Sequence, residues 1–193
     1  MGYTTDFSGS FELNKQLGPK MKEFLTKFNE TRRMKRNVSD KYGVEGEFFV
    51  GGTGSFGQDS TEDIVDYNEP PSTQPGLWCQ WTPTQDGMGI EWDGGEKFYN
   101  YTEWLVYLIT KILEPNGYVL NGVVQWQGEG VGDVGEIFVE DNKVFTQEWK
   151  GSKNEAVASD FEKRSYSNRK FNVLTDYMQT DLVLIVKEVE VQQ

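Results

Sequence analysis

A chain of 193 residues, 36% hydrophobic and 14% aromatic with six Trp, has the length and apolar content for one sizeable core, which excludes a disordered tail and leaves two full domains cramped. Zero His and a single Cys, Cys79, remove Ser-His-Asp and Cys-His catalysis, His-based zinc or copper sites and any intramolecular disulfide. A net charge of −12 opposes nonspecific adhesion to nucleic acid or anionic membrane, and the longest apolar run, Leu182 to Val186, is too short to span a bilayer. The N-terminus lacks the basic and apolar regions of a signal peptide, so the expectation is a soluble protein of the reducing cytoplasm.

Phe7 to Leu13 reads as a strand, with Phe7, Phe11 and Leu13 at period-two positions. Pro19 suits the first position of a helix in which Met21, Phe24, Leu25 and Phe28 recur at i, i+3, i+4 and i+7. Glu47 to Val50 reads as a strand entering the glycine-rich run Gly51 to Gly57, and the residues from there to Gly76 read as a long surface loop. Leu77–Pro83 and Met88–Trp92 read as strands paired about the turn Gln85-Asp86-Gly87. Asn100 is placed to cap a second helix with Glu103 reaching back, and Leu105, Leu108, Ile109, Ile112 and Leu113 give it an apolar stripe. Pro115 and Gly117 stop it. Strands at Tyr118–Gln127, Gly135–Glu140 and Val144–Trp149, the last two joined by Asp141-Asn142, read as a β-meander.

This order predicts the α+β class, a largely antiparallel sheet with both helices packed on one face and the other face open. Residues 1–150 form one domain in this reading. Residues 151–193 form a C-terminal extension ending in a strand with Val183, Ile185, Val189 and Val191 on one face. An unpaired apolar strand would aggregate, so it is expected to pair with a sheet edge in its own chain or in a second copy, which would make a homo-oligomer.

Charge is unevenly spread. Between Lys20 and Lys41 eight basic residues face three acidic ones, whereas from Asp59 to Glu103 ten acids face Lys97 alone. The basic run is first of all a solvated helix end. Its sharper reading is an anion or phosphate contact by Arg32, Arg33 and Arg36, which would require them to converge. Gly52-Thr53-Gly54-Ser55-Phe56-Gly57 matches G-x-G-x-x-G in letters, but no helix opens after it and no Lys follows, so it reads as a flexible loop.

Glu91 and Asp93 share one strand face with Glu96 just beyond. Helped by Glu129 or Asp133, they define the enzymatic alternative, a metal-dependent hydrolase with oxygen ligands suited to Mg²⁺ or Ca²⁺. Trp78, Trp81, Trp92, Tyr99 and Tyr101, with Gln80, carry the palette of a stacking platform. Trp126, between Gln125 and Gln127, is expected to turn its indole inward.

The segments Met1-Gly2-Tyr3-Thr4-Thr5-Asp6-Phe7, Glu30-Thr31-Arg32-Arg33-Met34-Lys35-Arg36, Asp66-Tyr67-Asn68, Gln74-Pro75-Gly76-Leu77-Trp78-Cys79-Gln80-Trp81 and Ile90-Glu91-Trp92-Asp93-Gly94-Gly95-Glu96-Lys97-Phe98-Tyr99 resemble a family of uncharacterised bacteriophage and bacterial proteins. The resemblance implies an intracellular, phage-encoded accessory protein and carries no activity or site residue.

The leading expectation is a non-enzymatic protein that binds a protein or small-molecule partner through an aromatic and acidic surface and calls for no cofactor. The metal-dependent hydrolase is one alternative. The other is a binder of nucleotide-like ligands, which needs Trp78, Trp81 and Tyr99 to line a cleft that also receives Arg32, Arg33 or Arg36.

Overall fold

A computed structural model of the chain describes residues 2–130, 132–150 and 183–188, with side chains described as far as residue 147. The strands are β1 (Thr5–Ser8), β2 (Ser10–Leu13), β3 (Lys35–Arg36), β4 (Ile64–Asp66), β5 (Trp81–Pro83), β6 (Gly89–Trp92), β7 (Leu120–Gly128), β8 (Val134–Glu140), β9 (Lys143–Lys150) and β10 (Val183–Glu188). The helices are α1 (Pro19–Asn29) and α2 (Tyr101–Leu108). The second runs on as a wider π-helical turn over Ile109–Leu113 and a tight turn over Glu114–Asn116. Antiparallel pairing gives one open sheet in the order β10-β9-β8-β7-β2-β6-β5, with β1 also paired to β7, and β3 and β4 form a separate two-stranded ribbon. The α+β class is therefore as the element order predicts.

The single strand expected over Phe7–Leu13 is two strands, because the chain kinks at Gly9, whose φ of 102° is open to glycine. Both segments lie along β7, with Phe7 opposite Trp126 and Phe11 opposite Gly122. Along β7 every second residue from Leu120 to Gly128 is buried, which turns the Trp126 indole inward as expected.

Leu25 and Phe28 of α1 join Trp104, Leu105, Leu108, Ile109, Ile112 and Leu113 of the second helical segment in one apolar core with Phe11, Ile90, Val124 and Ile137 of the sheet. Each such side chain contributes about 1.5–3 kcal/mol by leaving water. The second helix is buried on more than its predicted stripe, since Trp104 and Tyr107 meet Phe28 edge-on and stacked respectively. Asn100 does precede α2, but it sits at φ 54° with its Nδ2 donating to the Pro75 carbonyl at 2.6 Å. The expected side-chain cap therefore does not form, and Glu103 accepts from Thr102 instead.

The meander matches its expectation to within two residues at each end. Asp141 and Asn142 take φ of 47° and 66°, the pair of left-handed residues a two-residue hairpin turn requires. Asn142 also fastens this turn to the start of β7, where its Oδ1 accepts from the Leu120 N–H at 2.7 Å.

Glu47–Val50 is a turn rather than the predicted strand, because Glu47 is drawn inward as an acceptor for three side-chain and backbone donors. The stretch from residue 58 to Gly76 is more than surface loop: it contributes β4, and Pro71 and Gln74 are buried. Of the predicted strand Leu77–Pro83 only Trp81–Pro83 pairs, since Leu77 gives its carbonyl to Arg33 N–H and Cys79 gives its own to Asn29.

The C-terminal strand adds to its own chain's sheet. β10 pairs with β9 from Val183 opposite Lys150 to Glu188 opposite Phe145, one of the two arrangements expected. The rest of the predicted extension, residues 151–182 and 189–193 with Val189 and Val191, lies outside the described residues. Among the described residues no helix is long and apolar enough to cross a membrane.

Candidate recognition surface

Sequence places Arg32, Arg33 and Arg36 close together, in the short link from the end of α1 at Asn29 into β3 at Lys35–Arg36. The three guanidiniums nevertheless take separate internal partners and do not form an anion site. Arg36 Nη1 donates to Asp63 Oδ2 at 2.6 Å, Nη2 donates to the Gly57 carbonyl at 2.6 Å, and the guanidinium lies 4.4 Å over the Phe49 ring. The hydrogen bond from Thr61, opposed by desolvation and reinforced by Arg36, holds the Asp63 carboxyl below its ordinary value. Arg32 donates to Gln58 Oε1 at 3.1 Å and to the Tyr67 carbonyl at 3.0 Å, and its backbone N–H donates to the Phe56 carbonyl. Arg33 is enclosed in the core, 2% exposed, where Nη2 donates to the Glu47 carbonyl. The run Glu30 to Arg36 is thus a set of ties that fasten the layer from residue 44 to 78 onto α1.

These ties shape the glycine-rich loop, which is ordered rather than a free coil. Gly51 N–H donates to Thr31 Oγ1 at 2.8 Å and Asp59 N–H to the Thr53 carbonyl at 2.9 Å. Gly57 is buried at φ 66°, where any Cβ would collide with the Gly51 carbonyl oxygen. Just before Gly57, Phe56 takes φ 57°, a region that bulky side chains avoid, and the residue is 52% exposed. The ring meets half-buried Trp78 edge-on at 5.3 Å and 90°, and the Arg32 guanidinium lies 5.6 Å from the other aromatic's centre. Asp59 and Glu62 follow the loop as exposed carboxylates.

The remaining predicted aromatics divide between core and surface. Trp81 is a correction to the expected platform: it is 1% exposed, packed edge-on against Phe7, Phe11 and Phe98, with Nε1 donating to the Tyr101 carbonyl at 2.8 Å. Inward period-two positions of β5 put it there. Tyr101 is half-buried against Phe7 at 4.9 Å. Trp92 is half-buried and donates Nε1 to Gln80 Oε1 at 3.0 Å, while Gln80 Nε2 donates to the Glu96 carbonyl at 2.9 Å. Tyr99 is exposed, and its hydroxyl accepts from the Tyr3 N–H at 3.3 Å. No cleft gathers Trp78, Trp81 and Tyr99 with the arginines, because Trp81 faces the core and Arg33 and Arg36 are enclosed.

The carboxylates do not assemble a metal site. Asp93 uses Oδ2 to accept from Asn29 Nδ2 at 2.7 Å and Oδ1 to accept from Gly95 N–H at 2.7 Å, and among the described residues no three His, Cys, Asp or Glu side chains come together to hold a metal ion. Glu91 and Glu96 are therefore not brought together with it as ligands. Glu129 and Asp133 tether the N-terminus: Glu129 accepts from Thr4 N–H at 2.8 Å, and Asp133 accepts from the Tyr3 hydroxyl. Burial pushes the Cys79 thiol up to about 12, which keeps it protonated and poorly nucleophilic at neutral pH.

Phe56 is not among the residues the sequence singles out, because its run reads as a flexible loop. The available signal was one large aromatic placed among four glycines with no apolar period to bury it. No protein-family model matches the chain, and no curated protein or solved structure matches it either.

Proposed function

We propose that the chain is a non-enzymatic accessory protein that binds a positively charged protein partner, with Phe56 and Trp78 as the aromatic anchor and the acidic stretch that follows as the rim. The observation that carries this reading is the exposed Phe56 ring, held in an unfavourable backbone conformation by a loop that Arg32 and Arg36 fasten in place. Such a conformation costs about 1–3 kcal/mol, and burial of the ring does not repay it here. Rigid aromatics offered outward are what enter a partner's pocket, and preorganisation lowers the entropy lost on binding. The excess of acid between Asp59 and Glu103 selects for basic partners and speeds their encounter. On the resemblance to phage proteins, the partner would belong to the host cell.

The test is site-specific photocrosslinking in producing cells, with p-benzoylphenylalanine placed at position 56 or, as a control, at exposed position 111. A discrete adduct from position 56 alone, lost in Trp78→Ala and weakened by added salt, is expected. Equal adducts from both positions, or none from position 56, contradict the proposal.

A further inference from the structure

Strands β7, β8 and β9 present two faces of different character. On one, Val124, Ile137 and Val139 join the core beneath both helices. On the other, the register sets Val123, Phe138 and Phe145 in one row across the three strands, and the rings of Phe138 and Phe145 stack at 4.8 Å and 10°. Val134 shares this second face, since side chains an even number of residues apart on a strand point the same way. It is 3% exposed although it takes no part in the core. Gln147, on the same face, is 7% exposed. A sheet face turned to water leaves its side chains partly wet. Among the described residues, however, no helix or second sheet is packed over this one.

The chain itself supplies a cover. β9 ends at Lys150 and β10 starts directly opposite at Val183, so residues 151–182 leave and re-enter the sheet at the same end of one strand pair. An antiparallel pair needs only about two to five residues to turn. The segment between is far longer and carries Phe161, Tyr166, Phe171, Val173 and Leu174, apolar side chains that gain by leaving water. The register sets Val186 opposite Gln147 and Leu184 opposite Trp149, so the apolar positions of the second face continue to the place where the segment departs and returns.

We propose that residues 151–182 dock on the second face of their own sheet, against Val134, Phe138 and Phe145, and complete the domain as a layer opposite the helices. Tethered at both ends, the segment competes for this face at an effective concentration of about millimolar, ahead of a second copy or another protein. The docking is separate from the Phe56–Trp78 surface and does not depend on it.

The test places p-benzoylphenylalanine at position 138 or, separately, at position 145 of the full chain, in an equal mixture of isotope-labelled and unlabelled protein, and maps the adducts by mass spectrometry. The expected adducts join either position to residues 151–182 within a single chain, so both halves carry the same isotope. Adducts that pair labelled with unlabelled chains, or none to residues 151–182 from either position, overturn the proposal. Trypsin gives a second reading at Lys163, Arg164, Arg169 and Lys170. In the intact protein these bonds should be cut at least about tenfold more slowly than in a synthetic peptide of residues 151–182, and Phe138→Ser should return most of that difference. Cleavage of the parent at the rate of the free peptide contradicts docking.

Discussion

Arg36→Ala is expected to lower folding stability by about 3–4 kcal/mol, because it breaks a buried ion pair and strands the groups it held. The side chain is almost fully enclosed, joined to Asp63 and to the Gly57 carbonyl at 2.6 Å each, and it covers Phe49. Asp63 is itself 29% exposed, so part of its charge can rehydrate, which holds the loss toward the lower end of what buried pairs give. Arg36→Lys should recover less than half of the loss. An ammonium can reach one of the two oxygens but lacks the planar fork that spans both and lies flat on a ring. Urea unfolding with an unchanged dependence on denaturant checks this. A loss under 1 kcal/mol for Arg36→Ala would mean that the ties to Asp63 and Gly57 are not made in solution.

Trp104 supplies the second large effect and an unusual contrast. Trp104→Ala should cost about 4–5 kcal/mol, since the indole is fully buried and packs edge-on against Phe28 at 6.0 Å and Tyr107 at 5.5 Å. Its Nε1 is also a buried donor without a hydrogen-bond partner. Trp104→Phe removes that unsatisfied donor, worth about 1–3 kcal/mol, while keeping most of the ring contact. The phenylalanine variant should therefore stay within about 1 kcal/mol of the parent. Paired thermal melts read both, at roughly 2–4 °C per kcal/mol for a chain of this size. A phenylalanine variant as damaged as the alanine one would show that the indole N–H finds an acceptor.

The parts of the fold legible in the sequence are those fixed by local period and turn chemistry. Met21, Phe24, Leu25 and Phe28 mark the buried face of α1, and the stripe from Leu105 to Leu113 marks α2. Asp141-Asn142 sets the last hairpin of the meander, and alternation around Trp126 gives its direction. What was not legible depends on contacts between distant segments. Glu47 sits in a turn because Thr73 and Tyr107 call its carboxylate inward, and no local pattern near Val50 announces that. Trp81 and Trp78 are three residues apart in sequence and similar in kind. One enters the core and the other stays half-buried beside Phe56, because pairing with Trp92 fixes the direction of Trp81 while residues 77–79 leave the ladder to meet α1.

The same division explains the candidate site. The run Thr31 to Arg36 looks, in letters, like a basic surface for phosphate, yet a guanidinium has five donors, and a chain whose loops leave carbonyls inward spends them on itself. The acidic stretch around Asp59 to Glu69 then partly answers the basic run, through Asp63 with Arg36 and Glu69 with Lys35 at 3.0 Å. Asp59 and Glu62 remain outward beside the exposed ring.

The account turns on whether the layer that displays Phe56 is held rigidly in the free protein. Amide hydrogen exchange resolved to single residues measures this directly, because Arg32, Asn37, Gly57 and Asp59 each donate to a carbonyl within that layer. Protection of these four amides comparable to that of the β7–β8 hairpin is the result the account predicts. Exchange at the rate of an unstructured chain across residues 51–59 would contradict it.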